Sequence, residues 1–276
     1  MVVTVGVLAL QGGFSEHLDS LRKASVHSAA LSASAVYPGF DFVEVRTPEQ
    51  LAKCYALIIP GGESTTLSLV AAQSGLLQPL RDFVKVSKKP TWGTCAGLIL
   101  LCEAASSTKR GGQELIGGLD VRVHRNHFGR QIESFVTDLE LPFLASSQTG
   151  PTREEPAVFP AVFIRAPVVD VLLTGEVRSI DRRAYGLRLP EPAPGGRTQG
   201  SERPVEILAV LPGRHASNEK AMVGDEAPIS QKGTGDIVAL RQGNVFGTSF
   251  HPELTDDIRI HEWWLNEVVK TYRSQS

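Results

Sequence analysis

Three cysteines in 276 residues, Cys54, Cys95 and Cys102, are too few and too unevenly spaced for a disulfide framework or a paired zinc site. Isolated thiols of odd number fit a reducing compartment, and each has to be weighed alone. Basic excess is missing too: the formal net charge is -2, so nothing is available to neutralise a phosphate backbone, and nucleic acid is not an expected partner. The longest apolar runs, such as 56–60 and 98–102, fall far short of the roughly 20 residues a membrane helix needs. The first residues, Val2-Val-Thr-Val-Gly-Val-Leu-Ala-Leu10, lack the basic flank of a signal peptide and read as a buried strand. A cytoplasmic location is the expectation. Among the histidines, His17, His124, His127, His215 and His261 show no pair with metal-site spacing on a helix, and neither metal nor cofactor is expected. No internal repeat is visible.

What is present suits a globular α/β protein. At 42% hydrophobic the chain can bury an ordinary core. Short apolar runs at 3–10, 56–59, 91–93, 162–165, 205–211, 237–241 and 245–250 alternate with amphipathic stretches, a pattern that predicts a mostly parallel central sheet with flanking helices in a single three-layer domain. Helices are expected from Phe14 through Arg22, from Leu67 to Leu80, from Ala96, and from Ile258 to Tyr272. Four stretches near 25–40, 145–156, 188–204 and 212–235 are rich in small, polar and turn-forming residues. Strand-like runs resume after each, so they read as surface insertions on one domain spanning 1–276.

The segment Thr91-Trp-Gly-Thr-Cys-Ala-Gly-Leu-Ile99 is a strand that turns sharply into a helix, with glycines two before and two after Cys95. Small neighbours tolerate the tight turn of a nucleophile elbow. At a helix N-terminus the dipole and free N–H groups favour a thiolate and can cradle an oxyanion. Cys54 and Cys102 lack that context and read as packing cysteines. A thiol needs a base, and His251-Pro-Glu253 follows a late strand. Residues two apart in an extended segment point the same way, so Glu253 can orient the His251 imidazole. Taken alone, such a triplet is more often a solvated loop.

Two further loops follow strands. Gly61-Gly62 could offer backbone N–H groups to an oxyanion, and Glu63 could meet a substrate ammonium. The pair is not a phosphate-binding loop, since the spacer and lysine are absent. Arg125 and Arg165 could each hold a carboxylate through a planar fork.

Together these segments resemble a known family, the class I glutamine amidotransferases, and within it the glutaminase subunits of pyridoxal 5'-phosphate synthase. The resemblance rests on Gly6-Val-Leu-Ala-Leu-Gln-Gly12, Pro60-Gly-Gly-Glu-Ser-Thr-Thr66, Gly93-Thr-Cys-Ala-Gly97, Arg125-Asn126 with Phe128-Gly-Arg-Gln131, Val162-Phe-Ile-Arg-Ala-Pro167 and Ser249-Phe-His-Pro-Glu-Leu-Thr255. It implies a flavodoxin-like fold, Cys95 as nucleophile, His251 as general base and acid, and Glu253 as its orienter. It further implies glutamine contacts at Gly61, Gly62, Glu63, Arg125, Ile164 and Arg165, oxyanion donors at Gly62 and Ala96, and a partner interface near Gln11 and Gly12. The implied partner is a synthase subunit that receives ammonia for pyridoxal 5'-phosphate synthesis, with L-glutamine as substrate. Two other readings stay open on the residues: a glutaminase feeding a different synthase, and a non-catalytic redox or binding module of related fold.

Overall fold

The computed structural model describes residues 2–31, 38–106, 113–125, 134–145, 158–174, 177–179, 203–212 and 235–275. Alternation along the buried strands sets the layers. In β1 (Val2–Leu8) the side chains of Val3, Val5 and Val7 join one apolar cluster and Leu8 joins another. In β3 (Ala56–Ile59), Ile58 belongs to the first cluster and Leu57 and Ile59 to the second. The sheet therefore has an apolar layer on each face.

One face is covered by α1 (Phe14–Leu31) and the C-terminal α7 (Arg259–Gln275), which contribute Leu18, Leu21, Trp264, Leu265 and Val268 to its cluster. Each such fully buried aliphatic side chain contributes roughly 1.5–3 kcal/mol. The other face is covered by α3 (Ser64–Gln73), α4 (Leu77–Arg81) and α5 (Ala96–Leu101), which contribute Leu67, Leu80 and Leu98.

The strands run in the order β2 (Gly39–Val45), β1, β3, β4 (Thr91–Thr94), β13 (Val245–Thr248), β12 (Asp236–Gln242), β9 (Val168–Leu172), β6 (Leu119–His124) and β5 (Cys102–Ala105), with β10 (Val177–Ser179) and β11 (Val205–Leu211) joined through β12. From β2 to β13 every pairing is parallel. Beyond β13 it is mixed, because β12 runs antiparallel to β13, β11 and β9. Strands β1, β3, β4 and β13 thus all end on one edge of the sheet, and the loops leaving them carry the residues of interest.

Three expectations need correction. The run at 162–165 is not in the central sheet. It closes β8 (Val158–Ile164), which pairs antiparallel with β7 (Ser134–Glu140) in a separate two-stranded sheet. Burial in β8 alternates, with Phe159, Ala161 and Phe163 inward, as in a strand with one open face. The helix expected from Leu67 to Leu80 is two helices, because Gly75 takes a φ of +71° just past Ser74 and ends α3. The segment taken as an insertion from residue 25 is helical through Leu31, and β2 begins at Gly39, which leaves only 32–37 of that stretch outside the described residues. Its alanines are good helix formers, and α1 packs along α7. The other three stretches, near 145–156, 188–204 and 212–235, fall almost wholly outside the described residues. Among the described residues no helix is long and apolar enough to cross a membrane.

Candidate active site

Cys95 caps α5 with a φ of 47° and ψ of -102°, a strained conformation for a residue with a side chain. The strain is held by its surroundings. The Cys95 N–H donates to Thr248 O at 2.8 Å, extending the parallel register of β4 and β13 past their ends. Gly97 lets α5 settle onto β3, since a Cβ there would lie 1.9 Å from Ile59 O. Cys95 is left at the top of the sheet, beside α5 N–H groups that its own side chain does not cap.

His251 leaves the end of β13 and reaches the same point. Its N–H donates to Val162 O of β8 at 2.8 Å, and its Nδ1 lies 2.8 Å from Glu253 Oε1. Glu253 sits in the short 3-10 turn Pro252–Leu254. Gly61, which follows β3, lies between Cys95 and His251: a Cβ on it would be 2.2 Å from His251 Cε1 and 3.2 Å from Cys95 Cβ. The imidazole and the thiol are thus packed over one bare backbone position. The thiol also lies 3.8 Å from Ile164 O, to which it donates.

The electrostatics favour a charged pair. Burial works against an imidazolium at His251, but hydrogen bonds and charge from Cys95 and Glu253 outweigh it and raise its pKa to about 10. Burial likewise opposes ionisation of Glu253, yet His17 and the hydrogen bond from His251 hold its carboxyl below its ordinary value. Cys54 and Cys102 behave differently. Burial pushes Cys54 up to about 11 and Cys102 well above its ordinary value, and their thiols donate to Gln50 O at 3.3 Å and Leu98 O at 3.1 Å. Both are buried, unreactive thiols.

Around this centre the other expected residues divide. The Gly61 N–H donates to Thr94 Oγ1 at 2.9 Å and the Cys95 N–H to Thr248 O, so neither is free for an oxyanion. Gly62 and Ala96 are the adjacent backbone positions. Glu63 caps α3, accepting from Thr65 N at 3.1 Å, Thr66 N at 2.6 Å and Thr66 Oγ1 at 2.7 Å. Burial raises its pKa, but those hydrogen bonds outweigh it and keep the group anionic. The cap uses three of the carboxylate's acceptor positions and fixes its orientation, and the exposed group keeps capacity for a further donor. Gln11 Oε1 accepts from Glu63 N at 2.9 Å, and Gly12 lies against Gly61 O, so both residues buttress the glycine loop from behind. Arg125 is anchored by Ser106 O at 2.8 Å and by Gln113 Oε1 at 2.5 Å. Ile164 and Arg165 border the site at the end of β8, where Arg165 turns the chain with a φ of 48°. Asn126 and the 128–131 motif lie outside the described residues.

Several participants carried no local signature. Thr94 fixes the Gly61 amide. Gln113 also accepts from Ser64 Oγ at 3.1 Å, joining Arg125 to the start of α3. His17, which has no partner at metal-site spacing, lies 3.3 Å from Glu253 Oε2 through its Nε2. Its sequence signal was its position between Phe14, Leu18 and Leu21, a polar residue on the apolar face of α1.

Fold and site together define a class: an α/β domain with a cysteine, histidine and glutamate gathered at the ends of parallel strands. A solved structure named as that of a glutamine amidotransferase shares the fold at a TM-score of 0.60 and 34% identity, covering 96% of this chain and 98% of its own. Residues 7–189 and 213–270 match the model of the SNO glutamine amidotransferase family, and the chain belongs to that family. It is 42% identical over 264 residues to a probable pyridoxal 5'-phosphate synthase subunit PDX2 of Arabidopsis thaliana, covering 95% of this chain and 85% of that protein. It is also 34% identical over 274 residues to the probable synthase subunit SNO3 of Saccharomyces cerevisiae, covering 99% of each.

Proposed function

We propose that this chain hydrolyses L-glutamine to glutamate and ammonia and passes the ammonia to a pyridoxal 5'-phosphate synthase subunit. The observation that carries the reading is the convergence of Cys95 and His251, from distant parts of the chain, on one bare glycine at the sheet edge, with Glu253 hydrogen-bonded to the far side of the imidazole. In this mechanism the Cys95 sulfur attacks the side-chain amide carbon of glutamine. The Gly62 and Ala96 N–H groups hold the tetrahedral oxyanion. The His251 imidazolium protonates the departing nitrogen, releasing ammonia and leaving a thioester on Cys95. A water molecule, deprotonated by His251, then attacks the thioester carbon, frees glutamate and returns the thiol. Arg125, Arg165 and Ile164 line the substrate side, with Glu63 near the amino group.

A synthase partner explains why ammonia made here is not lost to water. The named relatives are subunits of such a synthase, and Gln11 and Gly12 stand behind the glycine loop where contact from outside could bear on it. A purely redox or binding module would leave the His251–Glu253 pair without a role. Free Cys54, Cys95 and Cys102 fit a reducing compartment, the cytoplasm. We also read 1–276 as one domain bearing surface insertions near 145–156, 188–204 and 212–235. Limited proteolysis that cuts only within those segments and preserves activity fits this division, and two separately folded fragments overturn it.

The functional test is glutamate and ammonia release from glutamine, with and without purified synthase subunit. Activity that rises with the synthase and vanishes in Cys95→Ala supports the reading. A Cys95→Ala chain that keeps wild-type release with the synthase present overturns it.

A further inference from the structure

Behind the Glu253 carboxylate lies a chain of two histidines that the proposed reaction does not use. Both rings are completely buried. His17, from α1, places Nε2 3.3 Å from Glu253 Oε2 and 3.2 Å from Thr94 Oγ1, and its Nδ1 is 3.0 Å from Nε2 of His261 on α7. His17 also meets Trp92 edge-on, with ring centroids 5.6 Å apart. Among the described residues, Glu253 Oε2 and His261 Nδ1 are buried and find no hydrogen-bond partner.

Those two orphan atoms fix the direction of the chain. A neutral imidazole carries one N–H and one lone pair. If the proton of His17 were on Nδ1, its Nε2 lone pair would face a carboxylate oxygen, and His261 would accept at Nε2 and bury an unpartnered Nδ1–H. With the proton on Nε2 in both rings, His261 Nε2–H donates to His17 Nδ1, and His17 Nε2–H donates to Thr94 Oγ1 with Glu253 Oε2 close beside it. The only orphan left on His261 is then a lone pair, the less costly group to leave unmatched. Burial lowers the pKa of His17, against the opposing pull of Glu253, and also lowers that of His261, which matches two uncharged rings.

We infer that His17, oriented by His261, is a positioning residue of the catalytic centre, setting the N–H edge of its ring 3.3 Å from the second carboxylate oxygen of Glu253 and so keeping that group ionised and aimed at His251. The inference rests on the Cys95–His251–Glu253 reading above. The elements packed against the turn determine which groups face Glu253. The α1 helix brings His17 with Glu16 near it, α7 brings His261 behind His17, the elbow brings Cys95, and the turn itself His251. Strand β8 brings only Val, Phe, Pro, Ala and Ile. The start of α1 is shaped to the carboxylate as well, since a Cβ on Gly13 would lie 2.9 Å from Glu253 Oε1.

The test is the pH dependence of glutamine hydrolysis by the full chain with the synthase subunit present. In His17→Ala the acid limb of kcat moves upward by about one pH unit, the scale on which a neighbouring polar group perturbs a carboxylate, with KM for glutamine unchanged. His17→Gln, which returns an N–H donor near the position of Nε2, restores the limb. Nitrogen-15 shifts of the wild-type imidazoles supply a second readout that no folding defect can obscure, and they should show His17 protonated at Nε2. An Nδ1–H tautomer, or a His17→Ala rate lowered equally at every pH with the limb unmoved, overturns the inference. Glu253→Gln in the same assay separates the two claims. Its retention of wild-type rates would remove the triad reading, whereas its inactivity beside an unmoved limb in His17→Ala would remove only the role of His17.

Discussion

On the face of the sheet covered by α3, α4 and α5, Cys95 is positioned by missing side chains, whereas on the face covered by α1 and α7 the His251–Glu253 pair is supported by polar groups set among aromatics. Under α5, Gly97 removes the atoms that would hold the helix off β3, and Gly93 and Gly247 stand in register beneath it. On the opposite face His17 and His261 lie beside Trp92, which itself contacts Phe246 and Trp264. The difference follows from chemistry. A thiol needs only a place and a turn, so steric exclusion suffices. A buried carboxylate needs donors, and in an apolar layer those have to be built in.

The comparison breaks most readily at the point shared by both faces. Gly61→Ala inserts a methyl into the space of His251 Cε1, and glutamine hydrolysis should fall by about 10²–10⁴-fold, the scale of losing an oriented base. Steady-state assays check this, and near-normal rates would show that the imidazole has room to retreat. Gly97→Ala tests the steric face alone. An alanine inside a helix ordinarily stabilises it, but here its Cβ meets Ile59 O, so denaturant unfolding should show a loss of about 1–3 kcal/mol. A gain would mean that α5 is not seated by contact.

The polar face answers to pH. The folded chain binds the His251 proton more tightly than the unfolded chain, with a pKa of about 10 against 6.5. Its contribution to stability is therefore complete below pH 6.5 and is lost as pH rises towards 10. Denaturant titrations across that range should show the decline, and Cys95→Ala should flatten it by removing the thiol's share of the shift. The smallest effect is expected at the packing thiols. Cys54→Ala and Cys102→Ala each remove one buried sulfur, so each should cost about 1 kcal/mol in unfolding experiments and leave hydrolysis unchanged.

What could be read from the sequence was what is local. The elbow around Cys95 and the His251-Pro-Glu253 turn declare themselves within a few residues, because glycine spacing and extended geometry act at short range. The layered α/β architecture was legible from apolar runs and their alternation. His17 was not, since its meaning depends on packing against a turn that lies 236 residues further along the chain. Nor did the 162–165 run reveal that β8 leaves the main sheet, because strand propensity does not name a strand's partner. The engagement of Glu63 in capping α3 could have been read from Glu63-Ser-Thr-Thr66, a polar acceptor just ahead of a helix.

The hairpin of β7 and β8 meets both Cys95 and His251 through main-chain oxygens, Ile164 O for Cys95 and Val162 O for His251. Every amino acid has the same carbonyl, so point substitutions along β8 leave the identity of these two acceptors untouched. Outward positions such as Val158 are thereby free to diversify without moving either acceptor.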